Sequence, residues 1–269
     1  MTKIGVFDSG VGGLTVVREI ERLLPHHPIV YFGDTARTPY GSKSRETLIR
    51  YAREDTRFLL DQGADIVVVA CHSAASAATH VLRSDFSVPV FEVITPSINE
   101  AVAMTKKGVI GLIGTRATIT SGIYETEIGR LAPGARVLSQ ACPLLVPLVE
   151  EGWISARETR MIVSRYLRPL KGKGMDTLVL GCTHYPLLKR IIQEKVGRRV
   201  QIVDPSAEVA RAVRDHIASN GIGDAGETGG AESRFFLSDL TPSTQRIVES
   251  FLGRKVDIER VMLPCHTGP

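Results

Sequence analysis

The sequence Asp65-Ile-Val-Val-Val-Ala-Cys71 recurs 111 residues later as Asp176-Thr-Leu-Val-Leu-Gly-Cys182. Each stretch is a short run of mostly branched apolar residues, which is typical of a parallel strand that helices cover on both faces. A second strand-like segment, Ile4-Gly5-Val6, recurs with a similar offset as Ile110-Gly111-Leu112. The repetition of strands in the same order predicts two similar units within one chain.

Strand-like runs alternate with helix-like segments along most of the chain. The amphipathic stretches 44–62 and 155–170 show the helical pattern most clearly. This alternation predicts the α/β fold class, with parallel sheets covered by helices. The predicted strands are Ile4–Phe7, Ile29–Phe32, Ile66–Ala70, Val88–Val93, Val109–Ile113, Val137–Leu138, Thr177–Leu180 and Gln201–Val203.

The joint between the two units is predicted near Thr95–Ser97. There Pro96 is expected to end one strand and a new helix to begin, because proline cannot donate to a sheet ladder. The strand that leads into Pro205 is the counterpart of this strand in the second unit.

These positions divide the chain into two domains. We expect a discontinuous first domain of residues 1–96 plus 206–269 and a second domain of residues 97–205. A pseudo-two-fold axis would relate them, with a site at their interface. The loop Gly221–Gly230 lacks the GxxxxGK[ST] pattern of phosphate-binding loops and is predicted to be a surface connection.

Composition excludes several classes of protein. The 269 residues carry 33 Lys and Arg against 29 Asp and Glu, and the basic residues are scattered, so we expect no nucleic-acid partner. No apolar run approaches the roughly 20 residues that cross a bilayer, and the N-terminus reads as a strand rather than a signal peptide. We therefore expect a cytoplasmic protein with a small-molecule substrate and no membrane partner.

The four cysteines are too few for the disulfide framework of a secreted protein. Cys71 and Cys182 each follow a predicted strand and precede a helix-like segment. At that edge of a parallel sheet, backbone N–H groups and the positive end of a helix dipole favour a thiolate. The alternative is that both are small buried apolar residues. Cys142 is interpreted as a packing residue and Cys265 as part of a loose tail.

Two thiols that approach one cleft from opposite sides suit inversion at a carbon atom. One thiolate removes a proton from one face, and the other thiol delivers a proton to the opposite face. Such a reaction needs neither an organic cofactor nor a metal, and we expect none.

Four further motifs are DSGVGGLT over 8–15, GDTARTPYG over 33–41, PLVEEG over 147–152 and GCTHYP over 181–186. In this order they resemble the glutamate racemases of the aspartate/glutamate racemase family. The resemblance implies two α/β domains with the active site between them and cofactor-independent interconversion of L- and D-glutamate. It also implies that the product supplies peptidoglycan synthesis and that the protein can form a homodimer.

The resemblance assigns catalytic roles by position. Cys71 would deprotonate D-glutamate with help from Asp8, and Cys182 would deprotonate L-glutamate with help from His184. Asp8 has the alternative role of a cap in a strand-to-helix turn, and His184 that of a cap in its local turn.

The resemblance also implies how the substrate is held. Hydroxyl groups and the backbone N–H groups beside them would bind its carboxylates. The implied substrate-binding residues are Asp8, Ser9, Tyr40, Gly41, His72, Ser73, Thr183 and His184. Asp34 and Glu150 match acidic positions that tune the site, with ordinary salt bridges as the alternative.

The first cysteine motif departs from the family, where Cys-Asn-Thr is usual and this chain has Cys71-His72-Ser73. Ser73 keeps a hydroxyl group, but His72 replaces a compact amide with a larger titratable ring. Three interpretations stay open: His72 binds the substrate as the amide would, it adjusts the pKa of Cys71, or it reshapes the pocket. The third would favour another amino acid, such as aspartate.

Three other functions compete with racemisation. A metal-dependent hydrolase would draw ligands from Cys71-His72, Cys182 with His184, and Cys265-His266, but none of these has CxxC or HxxxH spacing. A protein that binds an amino acid without chemistry would leave two thiols without a purpose. A Cys–His nucleophilic hydrolase would explain one cysteine and leave the other unused.

Overall fold

The structure, a computed structural model, describes residues 1–220 and 232–263. Within these residues, ten strands alternate with eleven α-helices. The strands are β1 (Ile4–Asp8), β2 (Ile29–Gly33), β3 (Ile66–Val69), β4 (Val90–Glu92), β5 (Val109–Gly114), β6 (Arg136–Ala141), β7 (Thr177–Gly181), β8 (Gln201–Val203), β9 (Arg234–Leu237) and β10 (Ile258–Arg260). The predicted Gly221–Gly230 loop and Cys265 lie outside the described residues.

The α-helices cover the strands. They are α1 (Leu14–Leu23), α2 (Arg45–Asp61), α3 (His72–Asp85), α4 (Ile94–Met104), α5 (Arg116–Thr120), α6 (Ile123–Leu131), α7 (Leu145–Glu150), α8 (Arg157–Leu167), α9 (Lys189–Val196), α10 (Pro205–Ser219) and α11 (Pro242–Leu252). Short 3₁₀ turns lie at Thr35–Arg37, Tyr40–Ser42, Arg168–Leu170 and Tyr185–Leu188.

The described strands form two sheets in which every pairing is parallel. One sheet has the order β10-β9-β2-β1-β3-β4 and the other has the order β6-β5-β7-β8. The run β2-β1-β3-β4 therefore has the same strand order as the whole second sheet. This confirms the predicted α/β class with two similar parallel sheets.

The sheets owe their stability to burial on both faces. Every residue of β1, β2, β3 and β7 is buried, which explains why these strands read as continuous apolar runs rather than alternating ones. Full burial of one branched side chain contributes about 1.5–3 kcal/mol before entropy is subtracted. Helix α10 packs against α1 and α4, so the segment after β8 returns to elements from the N-terminal half.

Two details of the sequence prediction are wrong. Strands β9 and β10 extend the first sheet but were not predicted, because the segment after β8 has no counterpart in the repeat and β10 is largely exposed. Pro96 does not end a strand: β4 ends at Glu92 and Pro96 is the third residue of α4. Proline is tolerated there since the first helical N–H groups have no partner within the helix.

The carboxyl edges of the two sheets face each other. The Ser73 hydroxyl lies 2.9 Å from the Thr115 hydroxyl, which follows β5. On the other side, Thr183 after β7 donates to Asp8 Oδ1 at 3.3 Å. The Thr15 hydroxyl on α1 donates to the Thr183 carbonyl oxygen at 3.2 Å. These contacts bring the turns after β1, β3, β5 and β7 to one place, where parallel sheets commonly bind ligands.

Candidate active site

A cavity of about 310 Å³ lies between the two carboxyl edges. Buried side chains form its floor, among them Cys71 and Cys182 at 5% exposure each. An exposed rim surrounds the opening. The floor is completed by His72, Ser73, Thr183 and His184, and the exposed lining residues are Thr38, Pro39, Ser42, Arg116 and Pro147. Both predicted catalytic cysteines therefore line the same cavity.

Cys71 stands at the N-cap of α3, directly after the turn from β3. Burial and the neighbouring Asp8 charge raise the pKa of Cys71 to about 12, and hydrogen bonds with the Ala74 N–H and Ser9 oppose this only in part. The Ala74 N–H at the helix terminus favours the thiolate, as expected, but loss of water and the nearby Asp8 charge outweigh it and favour the neutral thiol at Cys71.

Cys182 has a cationic neighbour instead. Its sulfur lies 3.8 Å from Nδ1 of His184, and Nε2 of His184 lies 3.1 Å from Oε1 of Glu150 on α7. Burial disfavours the charged imidazole, but the hydrogen bonds and charges of Cys182 and Glu150 raise the pKa of His184 to about 10. An imidazolium beside a cysteine sulfur favours the thiolate.

Asp8 ends β1 and is completely buried. It accepts hydrogen bonds from the Gly10 N–H at 3.0 Å and from the Thr183 hydroxyl at 3.3 Å. Burial raises the pKa of Asp8, while the positive charge of His184 lowers it. Asp8 thus closes the turn after β1 and also lies close enough to Cys71 to influence its proton.

The turns around Asp8 require glycine because of close packing. A Cβ atom at Gly12 would lie 2.4 Å from the Thr183 hydroxyl oxygen and 2.5 Å from the His184 ring. A side chain at this position would therefore displace the turn that carries Cys182.

His72 is the first residue of α3 and is 2% exposed. Among the described residues, neither of its ring nitrogens has a hydrogen-bond partner. Burial lowers the pKa of His72 to about 3, so the ring is neutral. The causes that chiefly raise the pKa of Cys71 are burial and the Asp8 charge rather than His72. Because an unpaired buried imidazole costs free energy, a polar ligand in the cavity is the natural partner for this ring.

The predicted binding residues divide into two groups. Those that line the cavity are Ser9, Tyr40, Gly41, His72, Ser73, Thr183, His184 and Glu150. Asp8 and Asp34 do not line it: Asp8 lies buried behind the floor, and Asp34 forms an ion pair with Arg37. The Asp34 carboxylate also accepts hydrogen bonds from Tyr40 at 2.5 Å and from Ser238 at 2.9 Å. Asp34 therefore contacts Tyr40, which lines the cavity, without lining the cavity itself.

The sequence prediction missed Thr115 and Arg116, which line the cavity from the turn after β5. A signal for Thr115 was present: since Ile4 corresponds to Ile110 in the repeat, Ser9 corresponds to Thr115. Other missed lining residues are Thr38, Pro39, Ser42, Pro143, Val146 and Pro147. Most of these are apolar or lie in irregular segments, where sequence patterns carry little information.

Within residues 1–220 and 232–263, no group of three or more His, Cys, Asp and Glu side chains is placed to hold a metal ion. None of the helices in the same ranges is long and apolar enough to span a lipid bilayer. Cys142 is buried outside the cavity lining, and its thiol lies 3.5 Å from the Gln140 carbonyl oxygen.

Comparison with known proteins agrees with this geometry. The model of the Asp/Glu/Hydantoin racemase family matches residues 4–213. The chain is 48% identical over 261 residues to the glutamate racemase of Syntrophus aciditrophicus, covering 97% of this chain and 96% of that protein.

Solved structures show the same similarity. The glutamate racemase of Bacillus anthracis superposes with a TM-score of 0.93 at 40% identity, covering 98% of each chain. That of Francisella tularensis, solved in complex with D-glutamate, superposes with a TM-score of 0.92 at 33% identity, covering 98% of this chain and 99% of that one. The chain therefore belongs to the Asp/Glu/Hydantoin racemase family.

Proposed function

We propose that this protein interconverts L- and D-glutamate by proton transfer at the α-carbon, with two cysteines as the acid and the base. The observation that carries the proposal is the placement of Cys71 and Cys182 in one cavity, each after an equivalent strand. The similarity to glutamate racemases over nearly the full length supports glutamate as the substrate.

The two cysteines start in different protonation states. In the L-to-D direction, the Cys182 thiolate takes the α-proton, and the Cys71 thiol gives its proton to the opposite face of the carbon. The electron pair of the broken C–H bond becomes the pair of the new one, so no oxidant or reductant is needed. The reverse reaction starts from the Cys71 thiolate and the Cys182 thiol.

Neighbouring groups adjust these states. His184 stabilises the Cys182 thiolate as an imidazolium held by Glu150, which supports a tuning role for Glu150. Asp8 is the candidate acceptor that helps Cys71 lose its proton in the D-to-L direction. Its raised pKa suits this role because a more basic carboxylate accepts a proton more readily.

The floor of the cavity offers anchors for the polar groups of an amino acid. Ser9, Ser73 and Thr183 line this cavity, and a hydroxyl group that already has one partner can still accept a further hydrogen bond. Neutral His72 has two free ring nitrogens among the described contacts, one a donor and one an acceptor, as a side-chain amide also provides. This favours the interpretation that His72 binds the substrate in place of the family's asparagine.

Further parts of the proposal rest on the family resemblance. We propose a cytoplasmic homodimer that supplies D-glutamate for peptidoglycan. We also retain the division into 1–96 plus 206–269 and 97–205. The sheet memberships of β9 and β10 support a first domain that includes the C-terminal part, and the 96/97 boundary falls within α4.

The decisive experiment is incubation with L- or D-glutamate in D₂O. We expect inversion with deuterium entering the α-carbon, because a thiol exchanges its proton with solvent. Racemisation should be lost in both Cys71→Ala and Cys182→Ala, with Cys142→Ala as the control that keeps it. Full racemisation by both variants would refute the two-base assignment, and an absence of exchange in the wild type would indicate a binding protein.

Aspartate is the second candidate substrate, since His72 replaces the family's asparagine and alters the cavity floor. The same assay with L- and D-aspartate decides between them. A higher kcat/KM for aspartate than for glutamate would show that aspartate is the preferred substrate.

A further inference from the structure

A buried acidic cluster lies behind the cavity wall that Tyr40 forms. Arg37 makes ion pairs with Asp34, Glu54 and Asp55, and its Nη2 lies 2.9 Å from Asp55 Oδ1. Asp55, on α2, is fully buried, and the side chains of Asp34 and Glu54 are 1% and 10% exposed. Among the described residues, Arg37 is the one cation paired with these three acids. Three ionised carboxylates around one guanidinium would leave buried negative charge uncompensated.

The hydrogen bonds of Tyr40 show where a proton must be. Its hydroxyl oxygen lies 2.5 Å from Asp34 Oδ2 and 3.0 Å from Asp55 Oδ2. A phenol has one proton and can donate to only one of these oxygens. The other contact is a hydrogen bond only if the carboxyl group carries the proton. Arg37 and the Ser238 hydroxyl donate to the two oxygens of Asp34, so both of its oxygens act as acceptors, whereas Arg37 donates to Oδ1 of Asp55.

We infer that Asp55 is a neutral carboxylic acid whose Oδ2–H donates to the Tyr40 hydroxyl oxygen, and that it positions the Tyr40–Gly41 wall of the cavity. Tyr40 in turn donates to Asp34, so two successive hydrogen bonds hold the Tyr40 hydroxyl group in one position. Asp34 and the two 3₁₀-turn residues Arg37 and Tyr40 face Asp55 from the segment after β2, and Glu54 precedes it on α2. Burial and the Asp34 charge raise the pKa of Asp55 well above its usual value, in agreement with this proton assignment.

The wall has little room to move without a change in the cavity. The Tyr40 ring packs on Tyr51 with centroids 5.4 Å apart. A Cβ atom at Gly41 would lie 2.9 Å from Thr115 Cβ, so this wall touches the second sheet's edge. Loss of the Asp55 hydrogen bond should therefore loosen substrate binding more than the proton transfers, which take place at the cysteines. This consequence rests on the proposed function, whereas the proton assignment does not.

Infrared difference spectroscopy tests the proton directly. At neutral pH, the wild type should show the carbonyl stretch of a buried protonated carboxyl group, and Asp55→Asn should remove that band. Asp61→Asn, an exposed position on the same helix, is the matched control and should leave the band unchanged. A spectrum in which Asp55→Asn removes no such band overturns the assignment, whether or not the protein is a racemase.

Kinetics test the positioning role. Asp55→Leu should raise the KM for glutamate about tenfold, with kcat within about twofold, because a neutral hydrogen bond is lost. Asp55→Asn can still donate through its amide and should keep KM within about twofold of the wild type. An unchanged KM in Asp55→Leu would overturn the positioning role.

If Asp55→Leu does not fold, the pH profile of KM provides the second test. Deprotonation of Asp55 at alkaline pH should raise KM in the wild type, whereas Asp55→Asn should show no such increase. Identical profiles would contradict the proposal. If the wild type does not racemise glutamate at all, the proposed function fails, and the infrared result still decides the protonation state of Asp55.

Discussion

The cysteine after β3 and the cysteine after β7 occupy equivalent places in two sheets with the same strand order, but their neighbours differ in charge. Cys71 lies near the buried carboxyl group of Asp8, and Cys182 lies beside the cationic His184. Duplication alone would give two identical thiols. The two sides instead present opposite charges to their sulfur atoms, which suits the different starting states of the two cysteines in the proposed two-base inversion.

The position after each cysteine shows the same divergence. His72 corresponds to Thr183 in the repeat. The Thr183 hydroxyl finds a partner in Asp8, whereas His72 has none among the described residues. One side therefore completes its hydrogen bonds within the protein, and the other leaves a polar group for the ligand.

The largest expected effect comes from replacing each of the two cysteines in turn. Cys71→Ala and Cys182→Ala should each lower racemisation by about 10²–10⁴-fold, the contribution of a positioned acid or base. Because the enantiomers have equal free energy, kcat/KM must stay equal in both directions. The asymmetry should appear instead in α-proton exchange in D₂O, with Cys71→Ala exchanging L-glutamate and Cys182→Ala exchanging D-glutamate. The same enantiomer exchanged by both variants would contradict the assignment of faces.

The charge on the Cys182 side gives a test of stability against pH. The pKa of His184 is raised above its unfolded value of about 6.5, so the imidazolium by itself stabilises the fold fully below pH 6.5, and this contribution is lost as pH rises through about 10. Alone, it would lower the free energy of unfolding by up to about 1.4 kcal/mol per pH unit between pH 7 and 8.5. In the proposed thiolate–imidazolium pair the Cys182 thiol releases the proton that His184 holds, so the two contributions cancel. Urea denaturation should therefore give equal slopes for the wild type and His184→Gln in this range, and a steeper fall in the wild type would show that Cys182 keeps its proton.

His72 tests the divergence on the Cys71 side. His72→Phe keeps a ring but removes both hydrogen-bonding nitrogens, and it should raise KM for glutamate about tenfold. His72→Asn restores the family's residue and should keep KM within about twofold, as the donor and acceptor are retained. If His72→Phe binds glutamate as well as the wild type does, the ring only fills space.

The smallest effect is expected at the rim. Arg116, which corresponds to Gly10 in the repeat, is the one charged side chain among the exposed residues that the described structure places around the cavity. Arg116→Gln should raise KM for anionic glutamate about three- to fivefold at low salt, the size of a solvent-exposed charge interaction. The difference should shrink at high salt because of screening. Arg199→Gln, an exposed change of equal charge before β8, should leave KM unchanged.

Several parts of the fold could be predicted from sequence because they depend on local pattern. Buried parallel strands need continuous apolar runs, and all eight predicted strands are present. The three-residue strand β10 gave no such signal, since an edge strand has little apolar surface to bury. The prediction that Pro96 ends a strand was wrong because proline is compatible both with a strand end and with the first turn of a helix.

The pairing of the two cysteines also followed from sequence. The repeat placed Cys71 and Cys182 at equivalent strand ends, and parallel sheets direct such ends to one edge. Thr115 could have been found in the same way from Ser9. Arg116 could not, because its repeat partner is a glycine and carries no chemical signal.

The sequence by itself determined the two-sheet architecture and the two thiols at matching strand ends, because period and order are properties of the chain. Only the tertiary structure decided that burial and Asp8 raise the pKa of Cys71, that Asp55 contacts Tyr40, and that His72 lacks a partner within the described residues. These properties depend on loss of water and on charges brought together from distant positions, such as Asp8 beside Cys71. The spacing of residues along the chain determines neither the burial of a side chain nor its distance from groups that are far away in the sequence.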